Sequence, residues 1–293
     1  MNKILSKIKY RCVAAILFCC CTTFFLGAEE TDSVQLRATM NAVTFQVGGA
    51  HNLDTYLSPV RYSGMNLAID YEFMRAAKFA PKEWIHQVNT RLNYDNTENP
   101  VKNNTLHALS AHVGWRMAHR WNNVTTQGLN MFLGGTFDFD GGVTYNPRNS
   151  NNVCSPGINL NVGVMGMAAY NFKLGKLPLT ARYEAIIPVV GCFYLPDYDQ
   201  SFYEIYHGNL HDAINFGYWG NRFDITNLVT LDFRFKNATL RMGYRNESTT
   251  IWKNNISVQR TTHSLVFGVA WETIKVNYLK GLPKKAEIIS ALY

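Results

Sequence analysis

The most reactive arrangement in this sequence is a pair of carboxylates, Asp138 and Asp140, separated by Phe139. In an extended segment residues two apart point to one face, so both acids would serve the same space. Downstream, the stretch 194–223 carries Asp197, Asp199, Glu204, His207, His211 and Asp212. A carboxylate pair beside His207 or His211 can position water and take its proton, which is the chemistry of hydrolysis. The competing reading is a solvated rim of ordinary surface charges, and the spacing alone does not commit any of the four to catalysis.

Other chemistries fit less well. His107 precedes Ser110 by three residues, and His263 adjoins Ser264 and so points to the opposite face of a strand. Neither sets a base and a nucleophile side by side. His112 stands alone and reads as a hydrogen-bonded interior residue. His207 and His211 lie four apart, yet zinc needs three or four converging ligands and no third is nominated. Gly48-Gly49, Gly134-Gly135 and Gly141-Gly142 are not followed by helical sequence, so they read as strand bends or turns rather than phosphate loops. No motif nominates a cofactor or a metal.

The elements that must hold these residues repeat with a period of two. Met65, Leu67, Ile69, Tyr71 and Phe73 alternate with Asn66, Ala68, Asp70 and Glu72, and Val229, Leu231, Phe233 and Phe235 alternate with Thr230, Asp232 and Arg234. The same rhythm recurs near Leu133–Asp140 and Leu265–Trp271. Each such segment is a strand with one apolar and one polar face. Ten strands are expected near 34–48, 60–74, 83–95, 105–118, 128–141, 157–173, 178–193, 224–236, 238–247 and 260–273.

Strands of about 12 to 17 residues are longer than the 5 or 6 usual in soluble sheets. Aromatic residues stand near segment ends, among them Trp84, Tyr94, Trp115, Trp121, Tyr183, Phe193, Tyr244 and Trp271, as membrane interfaces require. Connections alternate between long, polar stretches (49–59, 96–104, 142–156, 194–223, 248–259) and shorter ones. These features describe an all-β, antiparallel transmembrane barrel, apolar outside and polar inside, with long extracellular loops and short periplasmic turns. Twelve strands is the rival count, because 274–293 is either a periplasmic tail or a source of two closing strands.

Inside such a barrel the alternation collects Asp70, Glu72, Arg116, Arg182, Glu184, Asp232, Arg234, Arg241 and Glu272 toward the periplasmic half. Five acids and four bases in a space that side chains can fill should pair with one another. The expected product is a salt-bridged filling, with a narrow solute path as the alternative. Cys154 and Cys192 flank the turn near Gly175 at similar distances and are a candidate disulfide at the extracellular rim.

The first residues read as an export leader. Lys3, Lys7, Lys9 and Arg11 precede the uncharged apolar run Cys12–Gly27, with Ala28 before Glu29 and Glu30. That run is shorter than the roughly 20 residues of a spanning helix, so residues 1–28 are expected to be a cleaved signal peptide and 29–293 one barrel domain. Removing the leader lowers the formal charge from +7 to +3, and no basic stripe or recognition motif points to nucleic acid. It also reduces six cysteines to two, an economy that suits an oxidising compartment.

The pattern of alternating segments after a leader resembles small outer-membrane barrels of Bacteroidota, over nearly all of the mature chain and without a diagnostic motif. Asp138-Phe139-Asp140 is similar to the Asp-x-Asp spacing of omptin-type outer-membrane proteases, which also use an Asp-His pair; here His211-Asp212 stands in the reverse order. The resemblance implies an outer-membrane location with lipid as partner. The leading expectation is a non-enzymatic barrel, structural or engaged in surface interaction. Phe202, Tyr203, Tyr206, Phe216, Tyr218 and Trp219 make 194–223 the expected contact surface for an extracellular ligand or glycan. A rim-sited hydrolase, omptin-like or lipid-modifying, and a narrow channel are the alternatives.

Overall fold

A computed structural model describes residues 34–149, 152–197, 203, 207, 213–236, 238–275 and 286–292. The expected leader, and His211 with its neighbours, lie outside the described residues. The strands are β1 (Val34–Asp54), β2 (Ser58–Ala76), β3 (Trp84–Glu98), β4 (Thr105–Trp121), β5 (Leu129–Tyr145) and β6 (Cys154–Leu174). They continue as β7 (Leu177–Tyr194), β8 (Ile214–Tyr218), β9 (Arg222–Arg234), β10 (Thr239–Lys253), β11 (Ile256–Ile274) and β12 (Ala286–Ile289).

Ten of these strands form a closed antiparallel ring. β1 to β7 pair in sequence, β7 pairs with β9, and β9, β10 and β11 follow, with β11 returning to β1 from Ala38↔Ile274 to Asp54↔Val258. Closure leaves no barrel strand with a free edge along its full length. The ten expected strands are all present. β8 and β12 are additions to the ring rather than members of it: β8 bonds the upper part of β7, and β12 bonds β1.

The strands run farther than their hydrophobic pattern suggested, mostly at the end opposite the chain termini, called here the upper end. β1 reaches Asp54 and β2 starts at Ser58, so the expected loop 49–59 shrinks to 55–57. Gly48 is inside a strand because a Cβ there would lie 1.9 Å from the His263 carbonyl oxygen across the ladder. Its role is close backbone approach, not a turn. Likewise 248–259 is two strands joined by Asn254-Asn255, both at positive φ (46° and 64°). Asparagine tolerates that region, and two such residues make the tight hairpin turn whose twist matches its strands. The contrast between long upper loops and short lower turns therefore rests mainly on 195–213.

The barrel is apolar outside. Phe45, Leu67, Leu92, Leu109, Val113, Leu133, Val162, Val229, Leu265 and Val269 are exposed, with Phe45 at 62% and Leu133 at 58%. An apolar belt around every wall far exceeds the few hundred Å² that a water-soluble monomer shows, so this exterior requires an apolar medium. Tyr94, Trp115, Trp121, Tyr183, Tyr244 and Trp271 join that outer surface. Phe193 does not; it is buried in the lumen.

The reason is a slip in β7. Arg182, Glu184 and Ile186 point inward on even positions, whereas Phe193 and Leu195 point inward on odd ones. Val189 is skipped by the β6–β7 ladder, which shifts register between Val162 and Gly163. One extra residue exchanges the two faces of everything beyond it.

The β6–β7 register set at the Gly175 turn decides the cysteines, the slip adding one residue to their offset. Cys192 is exposed and sits opposite Leu160, six residues along β6 from Cys154. At about 3.3 Å per residue this separation is far beyond disulfide reach. Both thiols are free, and the expected bridge is corrected on that ground.

Candidate functional site

The lumen is filled in layers. At the lower end Met40, Met74, Ile85, Ala118, Phe132, Met165 and Met167 form an apolar seal. Ala291 and Leu292 from the chain's own end complete it, fully buried in the barrel mouth. Arg120 holds this segment by donating to the carbonyls of Ser290 (2.7 Å) and Ala291 (3.2 Å), and Lys82 pairs with Glu287 at 2.8 Å. Of 274–293, the described residues beyond β11 show one short strand, β12, followed by Ala291 and Leu292 as a stopper.

Above the seal lies the charged layer. Arg182 donates to both oxygens of Glu72 at 2.6 and 3.0 Å, and Arg241 donates to Glu72 and to both oxygens of Asp232 (2.7 and 2.8 Å). Arg116 reaches Glu184 at 3.2 Å, while Gln87 bridges Glu72 and Glu184. Seven of the nine expected lumen charges are buried, six of them here and Asp70 in the layer above. Arg234 is half-buried, and Glu272 is exposed at the lower rim, where it accepts from Ser290 at 2.5 Å. Glu272 belongs to the rim because it lies below the last inward residue of β11, Ala270.

A second charged layer was not anticipated. Arg91 meets Glu247 at 2.6 Å, Arg245 meets Asp70 at 3.2 Å, and Arg260 donates to both oxygens of Asp95 at 2.7 and 3.0 Å. These residues share the inward parity of their strands with Gln87, Asn89 and Arg241. The signal is therefore present inside the expected strands 83–95 and 238–247, but the expected interior charges lie only toward the periplasmic half.

Over this floor the lumen opens into a cavity of about 210 Å³. Asp138 and Asp140 both line it, as their spacing on one strand face requires. Among the described residues their histidine partner is His112. His112 faces Asp140 directly across the β4–β5 ladder, and its Nδ1 lies 2.8 Å from Asp140. Its Nε2 is 3.6 Å from Asp138 Oδ1, beyond hydrogen-bond distance. His207 is exposed in the loop, with its ring edge-on to Tyr203 at 4.4 Å. Cross-strand register, which single-strand periodicity does not reveal, brings His112 to the acids.

The opposite wall carries Arg222 and Asp224, joined Nε to Oδ2 at 2.5 Å. This ion pair is incompletely satisfied: Arg222 Nη1 and Asp224 Oδ1 are buried and have no hydrogen-bond partner, nor do His112 Nε2 and Asn159 Oδ1. All four residues line the cavity. Buried polar atoms without partners are costly, so a chamber that gathers several of opposite sign is built for polar contents. Above it Tyr56, Leu57, Tyr62, Leu106, Phe193, Leu195, Ile251 and Ile256 pack as an apolar cap. Among the described residues no group of three His, Cys, Asp or Glu converges as a metal site.

Comparison with known proteins gives a family. The sequence profile of DUF3316, described as a protein of unknown function, matches residues 14–280. The chain belongs to the DUF3316 family. No curated protein matches this DUF3316 chain in sequence. Among solved structures it is similar to the outer membrane protease OmpT from Escherichia coli, with 6% identity, 81% of this chain and 97% of that chain covered, and a TM-score of 0.45. It is also similar to the translocator domain of the autotransporter NalP from Neisseria meningitidis (10% identity, 92% and 96% covered, TM-score 0.38). A third is the β domain of the Bordetella autotransporter BrkA (9% identity, 80% and 99% covered, TM-score 0.39). These likenesses concern barrel architecture and assign no residue of the DUF3316 chain a role.

Proposed function

We propose that this chain is an outer-membrane barrel closed to through-passage that binds a small polar ligand, carrying both signs of charge, in its upper-lumen cavity. The observation that carries this is the vertical order of the lumen: sealed and ion-paired below, chambered above, with the free Arg222 Nη1 and Asp224 Oδ1 in the chamber wall. A pore would need water-filled space where Glu72, Arg182 and Arg241 interlock. The apolar belt supports residence in an outer membrane with lipid as partner; the basic and apolar pattern of residues 3–27 supports a leader cleaved near residue 28, and the alternating segments after it a cell of the Bacteroidota type. Exposed Tyr203 supports contact with an external ligand or glycan at 194–223.

Calorimetric titration of the folded, detergent-held barrel with phosphoethanolamine tests the cavity. Saturable one-to-one binding, weakened at least tenfold in Asp224→Asn, is expected. Absence of binding, or equal binding by that variant, would count against the reading.

One observation favours a second reading, a hydrolase. His112 lines the cavity, is oriented by Asp140 and keeps an unbonded Nε2 beside Asp138, the elements of a general base. Its nitrogen would take a proton from water as the oxygen attacks an acyl or phosphoryl centre, then return it to the leaving group. Turnover of chromogenic ester and phosphodiester substrates, abolished in His112→Ala, would establish it; no turnover above buffer would remove it.

A further inference from the structure

The barrel wall is incomplete beside the cavity. From Leu179 to Ile186, β7 is bonded to β9, but from Val190 to Tyr194 it is bonded to β8. Residues 187–189 are the changeover, and Pro188 lies within it with no amide hydrogen to offer. β8 ends at Tyr218 opposite Val190, and after the turn 219–221 the chain enters β9 at Arg222. The upper residues of β9, 222–225, are therefore bonded to β10 and not to β7.

This leaves a notch in the wall, lined by Pro188, Val189, Gly191, Gly217 and Tyr218 on one side and by Arg222 and Asp224 on the other. Asn161, Pro188, Arg222 and Asp224 line both the notch and the cavity. Trp219 spans the outside of the gap, its indole N–H donating to the Pro188 carbonyl at 2.9 Å.

The notch faces the apolar exterior. Phe216, Tyr218, Trp219 and Phe223 surround it and are exposed, the aromatic setting of a membrane interface. On its inner side sits the Arg222–Asp224 pair, with one guanidinium nitrogen and one carboxylate oxygen buried and unbonded. The ceiling of the cavity is the apolar cap, and its floor is the ion-paired layer. The notch holds only about 10 Å³ and shares lining residues with the chamber, so a passage from the lipid side would run through it once Trp219 swings aside.

We infer that the cavity's ligand is the zwitterionic head of a phospholipid that enters from the membrane through this notch. The phosphate would meet Arg222 Nη1, the ammonium would meet Asp224 Oδ1, and the acyl chains would stay outside against Phe216, Tyr218 and Phe223. This inference rests on the cavity reading above and adds the source of the ligand. A purely anionic head would satisfy the arginine and leave the carboxylate oxygen unmet, so phosphatidylethanolamine should be preferred to phosphatidylglycerol.

Native mass spectrometry of the full barrel in dodecyl maltoside tests it, with each lipid added in turn and folding checked by heat-modifiable mobility. One phosphatidylethanolamine should be retained per barrel, at least tenfold more than phosphatidylglycerol. Arg222→Gln should lose it at least tenfold. Val189→Trp, which fills the notch from outside the cavity, should lose the lipid yet still bind free phosphoethanolamine. Undiminished lipid retention in Val189→Trp would overturn the lateral route while leaving the cavity reading intact, and equal retention of the two lipids would overturn the head-group assignment. Failure of wild-type protein to bind either the lipid or free phosphoethanolamine would overturn both.

Discussion

Glu72 and Arg182 stand on opposite walls of the barrel and meet inside it through two hydrogen bonds of 2.6 and 3.0 Å. β2 and β7 are five places apart in a ring of ten, so this pair ties the barrel across its full width. Arg241 binds the same carboxylate from a third strand. Charges this buried are tolerated because they satisfy one another, and each becomes costly when a partner is removed.

Glu72→Gln should therefore destabilise the barrel by about 3–5 kcal/mol, since it strands the buried Arg182 guanidinium and leaves Arg241 with Asp232 alone. Replacing Glu72 and Arg182 together, by Gln and Met, should cost less, because Arg241 keeps Asp232. Urea unfolding of the refolded variants in detergent, followed by heat-modifiable mobility, reads both; a double variant as unstable as the single would refute the pairing.

The stopper makes a separate prediction. Leu292 is fully buried among Met40, Ile85 and the other residues of the lower seal, so Leu292→Ala should lower stability by about 2 kcal/mol or more. It should not open the lumen, because the ion-paired layer lies above it. A variant as stable as wild type would show that the segment does not occupy the mouth in the membrane.

The cysteines predict a redox-insensitive protein. Cys192 is exposed and Cys154 half-buried, with neither bonded, so the folded barrel should take up maleimide at Cys192 without prior reduction. Its electrophoretic mobility should be unchanged by dithiothreitol. Protection of Cys192 until reductant is added would contradict the β6–β7 register.

The Asn254-Asn255 turn predicts a sign. Asn255 sits at φ 64°, where glycine is free of strain and a β-branched residue is not. Asn255→Gly should leave stability within about 1 kcal/mol of wild type, whereas Asn255→Val should cost about 1–3 kcal/mol. Equal unfolding midpoints for the two would argue that 248–259 is a loose loop.

Much of this fold was legible because alternation is a one-dimensional signal. Val229 to Phe235 declares a strand, its two faces and its inward Asp232 and Arg234 without reference to any other segment. The ends of strands were less legible. Asn-Asn at 254–255 is compatible with a loop or a hairpin turn, and the ladder beyond Glu247 decides between them. Features that depend on register were not readable at all. The β7 slip turned Phe193 inward and Cys192 outward, and the pairing of β4 with β5 placed His112 on Asp140. The acids Asp138 and Asp140 were found from spacing, but their partner, and the facing Arg222–Asp224 pair, required the closed ring.

The most direct test of the account is single-barrel conductance in a planar lipid bilayer, with insertion verified by heat-modifiable mobility of the same preparation. A closed lumen predicts no ion current above the bare-membrane baseline for wild-type protein, and none for Leu292→Ala. Stable, stepwise conductance by the wild-type barrel would mean that the Glu72–Arg182 tie does not close the lumen, and would contradict the account at its centre.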